Sequence, residues 1–391
     1  MKVSVPLFAI LFSSCPMLFG LDTAQPRIVG GTKAPANAYP WMVALASKTG
    51  GKLFDRQFCA GSLIAPHWVL TAAHCVEGEV ASNLEVVMGF NDLDDTSGAE
   101  IRGVKAFFVH PGYADIRGDL VNDIALLFLD SPVNSITPVS YSKSPSPLAV
   151  GETVRAIGWG DTQSSPRFPT ELRQVDLALE SISYARRVYG SNQINQRHLA
   201  AIGNGKDTCG GDSGGPLFDL DGDSGNPLVV GLTSFGLRCA QRDVPGIYTN
   251  VGNYSDWVDF FLGLPTSGDP VAELSGHGRP IGNPSYSPRR ANGTHFGRKV
   301  RSGRVITRRF PLSNENGTFP LSIEKSGSTN RNFKVSTSSY VLSGATGVVN
   351  VRFRAPYSRR RNSRSLSRIT LRLNDPANPA YVFRVLSRHG Y

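Results

Sequence analysis

The last third of this sequence has almost no acid. Residues 265–391 hold 5 Asp and Glu against 22 Lys and Arg, a net of +17, whereas residues 1–264 hold 26 Asp and Glu against 19 Lys and Arg, a net of −7. The overall charge of +10 hides that split. Such an asymmetry excludes one uniform surface and points to separate domains with separate partners. Cysteine is scarce too: Cys15, Cys59, Cys75, Cys209 and Cys239 are the only 5 in 391 residues. No two stand in a C-x-x-C spacing, which argues against a metal-thiolate site, and no metal or cofactor is expected. Past the first 21 residues the chain has no long apolar run, so no membrane span is expected in the mature protein. Aromatic residues are too thinly interleaved with the late arginines to favour nucleic acid as their partner.

What is present begins with a leader. Met1-Lys2 precedes a charge-free, mostly apolar run from Val3 to Leu21. This reads as a secretory signal over residues 1–20, with Gly20 or Ala24 beside the cut. Pro6, Ser13, Ser14 and Pro16 argue against a signal anchor, and Phe12-Ser13-Ser14-Cys15 is a poor lipoprotein signal. With Cys15 in the leader, the other four cysteines form the even set of a disulfide framework in an oxidising compartment. Spacing leaves all three pairings open.

From Trp41 onward, short alternating apolar segments (Trp41–Ala46, Leu84–Met88, Val104–Val109, Ile124–Leu129) are broken by Gly, Asp, Asn and Pro. That pattern predicts an all-β barrel or sandwich. Helical spacing is evident over Tyr254–Phe261, which marks a domain end near Leu264. Residues 265–270, Pro-Thr-Ser-Gly-Asp-Pro, form a linker. Beyond it Val305–Leu312, Val348–Arg354, Ser367–Leu373 and Tyr381–Leu386 are rich in β-formers and alternate with arginine, which predicts a second β domain.

Three motifs carry chemistry. Gly210-Gly211-Asp212-Ser213-Gly214-Gly215-Pro216 sets a serine in a tight glycine turn, where the N–H groups of Gly211 and Ser213 can converge on one oxyanion. Thr71-Ala72-Ala73-His74-Cys75 supplies a base that a weakly nucleophilic hydroxyl needs. Asn122-Asp123-Ile124-Ala125-Leu126-Leu127 supplies a carboxylate at the head of an apolar strand, suited to orienting that histidine. Alone, each residue is more often structural, and His67, His110 and His198 are taken so; together the three point to nucleophilic acyl transfer.

In the order His, Asp, Ser these motifs resemble the trypsin/chymotrypsin family of serine proteases, over about residues 28–264. The resemblance implies a double antiparallel β-barrel with His74, Asp123 and Ser213 as catalytic triad and Gly211 and Ser213 as oxyanion hole. It implies disulfides Cys59–Cys75 and Cys209–Cys239. It implies a short propeptide, residues 21–27, cut after Arg27 so that the Ile28 ammonium pairs with Asp212. Asp207, six residues before Ser213, becomes the acid on the floor of the primary pocket, with Ser234, Gly236 and Gly246 on its walls and Arg or Lys as preferred substrate side chain. Two disulfides common in the family are missing: Ala185 and Ala200 stand where one pair is usual, and Val154 and Asp219 where the other is. Phe90 replaces a calcium-binding glutamate, and the nearby Asp92, Asp94, Asp95 and Glu100 read as a solvated acidic loop.

Residues 271–391 are similar to a Hydin-like immunoglobulin-fold β-sandwich, through Gly293-Thr294-His295-Phe296-Gly297, Arg309-Phe310-Pro311-Leu312-Ser313-Asn314, residues 349–356 and residues 383–390. Arg352, Arg354, Arg368, Arg372 and Arg384 would pave a sheet face, and Arg359-Arg360-Arg361 an exposed loop. An anionic polymer or cell-envelope ligand is one reading of that charge, and mere solubility the other. The sequence therefore predicts a secreted zymogen of a serine endopeptidase that acts on proteins or peptides after Arg or Lys. The rival readings are an adhesin-like protein whose basic tail carries the main role, and a non-catalytic binder on a protease fold.

Overall fold

Short apolar strands run through the chain; before residue 265 they close on themselves as barrels, and after residue 270 they stack as two sheets. The computed structural model describes residues 29–145, 148–161, 169–222, 225–358 and 363–389. Six strands make the first barrel: β1 (Met42–Ser47), β2 (Gln57–Ala65), β3 (Trp68–Thr71), β4 (Leu84–Met88), β5 (Glu100–Val109) and β6 (Ala125–Leu129). They pair antiparallel around a ring in the order β1-β2-β3-β6-β5-β4, and β4 closes onto β1. Six more make the second: β7 (Thr153–Gly158), β8 (Arg173–Glu180), β9 (His198–Ile202), β10 (Pro216–Asp219), β11 (Leu228–Phe235) and β12 (Gly246–Asn250). Their ring runs β7-β8-β9-β12-β11-β10, and β10 pairs back to β7. The two barrels thus share one strand order, and closure leaves neither with a long bare edge.

Two helices of 8 residues flank the barrels. One, Ile182–Tyr189 (α1), escapes the sequence reading because it is a single amphipathic stretch of 8 residues. Ser181 caps it by accepting the Tyr184 N–H, and Gly190 ends it in the left-handed conformation at φ 62°. Its Ala185 packs with Ala200 in one small apolar cluster, so the two alanines fill space together. The other, Ser255–Leu262 (α2), falls on the stretch with helical spacing and lays Val258 and Phe261 into the first barrel's core.

The chain beyond residue 270 forms two five-stranded sheets. One runs β14 (Arg279–Pro280), β13 (Glu273–Gly276), β16 (Val305–Ser313), β20 (Thr346–Arg354), β18 (Phe333–Thr337). The other runs β15 (His295–Val300), β22 (Ala380–His389), β21 (Ser363–Leu373), β17 (Leu321–Ser328), β19 (Tyr340–Val341). Phe310, Phe333 and Phe353 from the first sheet share one core with Phe296, Ile369, Leu371 and Phe383 from the second.

This last part is seated on the first barrel. Phe319, fully buried, joins the barrel's core between Phe108 and Phe128, with ring centroids 6.1 and 4.8 Å away. The Ser322 hydroxyl donates to Phe107 C=O at 2.7 Å, and the Ser339 hydroxyl to Val109 C=O at 2.8 Å. Glu324 accepts the Ala81 N–H at 3.2 Å, and Lys325 Nζ donates to Gly78 C=O at 2.9 Å. These contacts grip the segment that follows His74 and Cys75.

Candidate active site

Each barrel contributes loops at their common seam. His74 sits in the single 3-10 turn Ala73–Cys75 that ends β3, and Asp123 lies two residues before β6. Ser213 lies three residues before β10. Strand pairing between β3 and β6 brings the first two together, since Thr71 faces Ala125. His74 Nδ1 lies 2.8 Å from Asp123 Oδ2, and the His74 backbone N–H donates to Asp123 Oδ1 at 2.9 Å. A carboxylate there accepts, so Nδ1 carries the proton and Nε2 is left basic. Asp123 is wholly buried, yet its charge is satisfied: the Ser234 hydroxyl also donates to Oδ2.

Covalent and backbone links tie the serine turn to the same place. Cys59 is joined to Cys75, and the Ala60 N–H donates to Ser213 C=O at 2.8 Å. Gly214, at φ 75°, presses so near this wall that a Cβ would stand 2.6 Å from Ala60 C=O and 3.0 Å from the Ala72 nitrogen. Only glycine fits both that conformation and that space. Gly211 takes φ 98°, also in the left-handed region. Among the described residues neither the Gly211 nor the Ser213 N–H donates to a backbone carbonyl. In this conformation Ser213 Oγ makes no hydrogen bond to His74, whose Nε2 has Cys75 Sγ 3.8 Å away; such bonds often tighten only around a bound substrate.

Beside Ser213 opens a cleft of about 230 Å³ lined by Asp207, Ser234, Gly236 and Gly246. Asp207 is 6% exposed, and burial pushes its carboxyl up to about 6 while the N–H groups of Ala240 and Thr208 pull it down. A Cβ at Gly246 would stand 3.0 Å from Asp207 Oδ1, so a side chain there would obstruct the floor. The second disulfide, Cys209–Cys239, ties two walls of the cleft. Leu237 and Arg238 line it as well. The sequence reading passed over both; their place between Gly236 and Cys239 was the available signal. It also gave Ser234 to the cleft alone, whereas its hydroxyl is turned to Asp123.

Asp212 points away from the cleft. It is fully buried and accepts N–H groups from Gly160 at 2.8 Å and Cys209 at 2.9 Å. Burial pushes its carboxyl up to about 7, because nothing cationic faces it among the described residues. Arg27 and Ile28, expected at an activation cut, lie outside the described residues. The next residue, Val29, accepts the Asp207 N–H at 3.1 Å. The other histidines are packed or capped: His67 stacks on Phe128, His110 meets Tyr254 and Trp257, and His198 Nε2 lies 3.0 Å from Leu120 C=O. In the acidic loop, Asp94 pairs with Lys52 and Glu100 with Arg102. The one cluster of metal-type side chains among the described residues is Cys59, His74 and Cys75, and its two sulfurs are spent in a disulfide.

Two barrels of one strand order, with a buried Asp-His pair and a glycine-framed serine at their seam, define a narrow class of protein. The family profile of trypsin matches residues 28–258, and the chain belongs to that family, the trypsin-like serine proteases. It is 32% identical over 255 residues to the suppressor of tumorigenicity 14 protein homolog of Bos taurus, a match that covers 62% of this chain and 29% of that protein. It is 33% identical over 257 residues to ovochymase of Halocynthia roretzi, covering 63% of this chain and 16% of that one. The chain therefore spans under a third of the length of either relative.

Proposed function

We propose that the protein is a serine endopeptidase that cuts after Arg or Lys. The observation that carries this reading is the fully buried Asp123 held 2.8 Å from His74 Nδ1, beside a cleft with Asp207 on its floor. His74 Nε2 takes the Ser213 proton as Oγ attacks the scissile carbonyl. Asp123 steadies the imidazolium that results. The N–H groups of Gly211 and Ser213 hold the oxyanion, each worth ~3–4 kcal/mol in the transition state. Collapse breaks the C–N bond, His74 returns the proton to the leaving amine, and water then releases the acyl group from Ser213 by the same route. A guanidinium or ammonium in the cleft answers the Asp207 charge and restores its ionised form.

Activation follows the Asp212 chemistry. A cut between Arg27 and Ile28 frees an ammonium, and a buried carboxyl raised to about 7 gains most from such a partner. The arrangement of domains proposed is a signal over 1–20, a propeptide over 21–27, the protease over 28–264, a linker over 265–270 and a Hydin-like immunoglobulin-fold sandwich over 271–391. Two disulfides and the apolar leader support secretion. The sandwich would serve as an anion-binding appendage.

The test is incubation of purified protein, before and after cleavage at Arg27, with matched Arg-, Lys- and Phe-type peptide substrates, with and without a serine-directed inactivator. Turnover of Arg and Lys substrates only by the cleaved form, abolished by the inactivator, is expected. Preference for Phe overturns the role of Asp207; full activity of the uncut form overturns that of Asp212.

A further inference from the structure

The arginines of the sandwich are not scattered by the fold. Along β21 the side chains at 364, 366, 368, 370 and 372 face outward, while 365, 367, 369, 371 and 373 are buried. Strand register sets Arg364 directly opposite Arg388 and Arg368 directly opposite Arg384, both on the outward face, with Arg372 continuing the row. Directly opposed side chains in an antiparallel pair have Cβ atoms ~5 Å apart, and like charges placed so are destabilising. A folded sheet that twice sets arginine against arginine accepts this cost with no carboxylate paired to any of the four among the described residues. Among the described residues beyond 270, no Lys or Arg forms an ion pair with a carboxylate; the ion pairs of the described residues lie between residues 33 and 269. Glu324, whose charge is felt by Arg372 at the end of the row, is buried and accepts the Ala81 N–H.

We propose that this outer face of β21 and β22 is a docking surface for an acidic polysaccharide, a linear chain of sulfate- or carboxylate-bearing sugars. The inference rests on the reading of the sandwich as an anion-binding appendage, and gives that appendage a face and a ligand class. Guanidinium groups grip sulfate and carboxylate through paired N–H donors, which favours Arg over Lys here. At ~3.4 Å per residue the rows at 364, 368 and 372 are about 13–14 Å apart, so they form an open ladder along a flat sheet. That suits a thin, extended polyanion with charges at every sugar. Nucleic acid is disfavoured because single strands need several stacking rings and the face offers one, Tyr286 at its border, with Arg384 over it at 5.1 Å. A membrane is disfavoured because Leu366, 42% exposed, is the one large apolar side chain open to water between the arginines, its opposite number Leu386 being buried.

The test uses the full chain carrying Ser213→Ala, so that no self-cleavage intervenes, and heparin as the probe. Four changes on the face, R364Q, R368Q, R384Q and R388Q, are compared with four on the outer face of the other sheet, R309Q, K334Q, R352Q and R354Q. Both variants lose the same net charge. The first is expected to bind heparin about tenfold or more weakly and with a shallower salt dependence, and the second nearly as the parent does. Arg→Lys at the same four face positions, which keeps charge and fold, is expected to fall between them. Equal losses in both variants would overturn the face. Tighter binding of DNA, RNA or phosphatidylserine vesicles than of heparin by the parent would overturn the ligand class. Absence of salt-sensitive binding to any of these would overturn the appendage reading itself, while the peptide-substrate assay stands apart from every outcome.

Discussion

The part before residue 265 and the part after it treat charge in opposite ways. The barrels bury theirs: Asp123, Asp207 and Asp212 are all under a tenth exposed, and each is met by hydrogen bonds from fixed neighbours. Two disulfides hold the turns that carry this burial. The sandwich uses no disulfide, keeps an apolar core of Phe, Val, Leu and Ile, and places its arginines outside, opposite one another. Buried charge is costly and is kept where it changes the reactivity of a neighbour; exposed charge is cheap and acts on whatever approaches. On the proposed function, chemistry belongs to the first part and attraction to the second, although Phe319 plants one inside the other.

The sharpest way to test that division is Ser213→Ala. Peptide turnover is expected to fall by about a millionfold while heparin binding is unchanged, as read by kinetics and a binding isotherm on one preparation. Loss of both would mean the two parts do not act separately. Next in size, Asp207→Ser is expected to abolish the preference for Arg over an uncharged isostere, a change on the order of 10⁴-fold in relative kcat/KM, because the substrate cation then enters without a partner. An unchanged preference would move the recognition of charge elsewhere.

A smaller effect probes the seam between the parts. Phe319→Ala is expected to cost ~3–5 kcal/mol in chemical denaturation, since it empties a site between Phe108 and Phe128. A single transition that shifts as a whole is expected; a loss confined to the sandwich would show that the barrel does not need its guest. Smallest is a pH effect at the same seam. Burial pushes the Glu324 carboxyl up to about 7, against the Ala81 N–H and Arg372, which pull it down. A carboxyl raised above its unfolded value contributes stability at low pH that is lost as pH rises from about 4.5 through about 7. Glu324→Gln, which cannot ionise, is expected to flatten the stability profile across that window. A profile parallel to the parent's would place the titration elsewhere.

Much of this was open to inspection in the chain. His74, Asp123 and Ser213 sit in short motifs whose composition announces them: a glycine turn, a histidine beside a cysteine, an acid heading an apolar strand. The alternation along the strands was visible for the same reason, since burial on one side and water on the other impose a period of 2. The helix Ile182–Tyr189 was not, because two turns interrupted by Arg186 and Arg187 carry too little periodic signal. Leu237 and Arg238 were signalled only by their place between Gly236 and Cys239, because whether they line the cleft depends on where β11 ends against β12.

What the sequence determined by itself is local: which residues form strands, where turns must hold glycine, which side chains are competent for acyl transfer, and that acid and base are divided between two regions. The tertiary structure decided everything that depends on partners remote in the chain. The β3–β6 pairing brought His74 to Asp123 across 49 residues, and the Ser234 hydroxyl reached that carboxylate across 111. Register, which no single strand encodes, set arginine against arginine on one face. Phe319, an ordinary apolar residue in its own segment, found its place in another part's core. Side-chain chemistry is a property of each residue, whereas distance, burial and opposition are properties of pairs, and only a closed fold fixes the pairs.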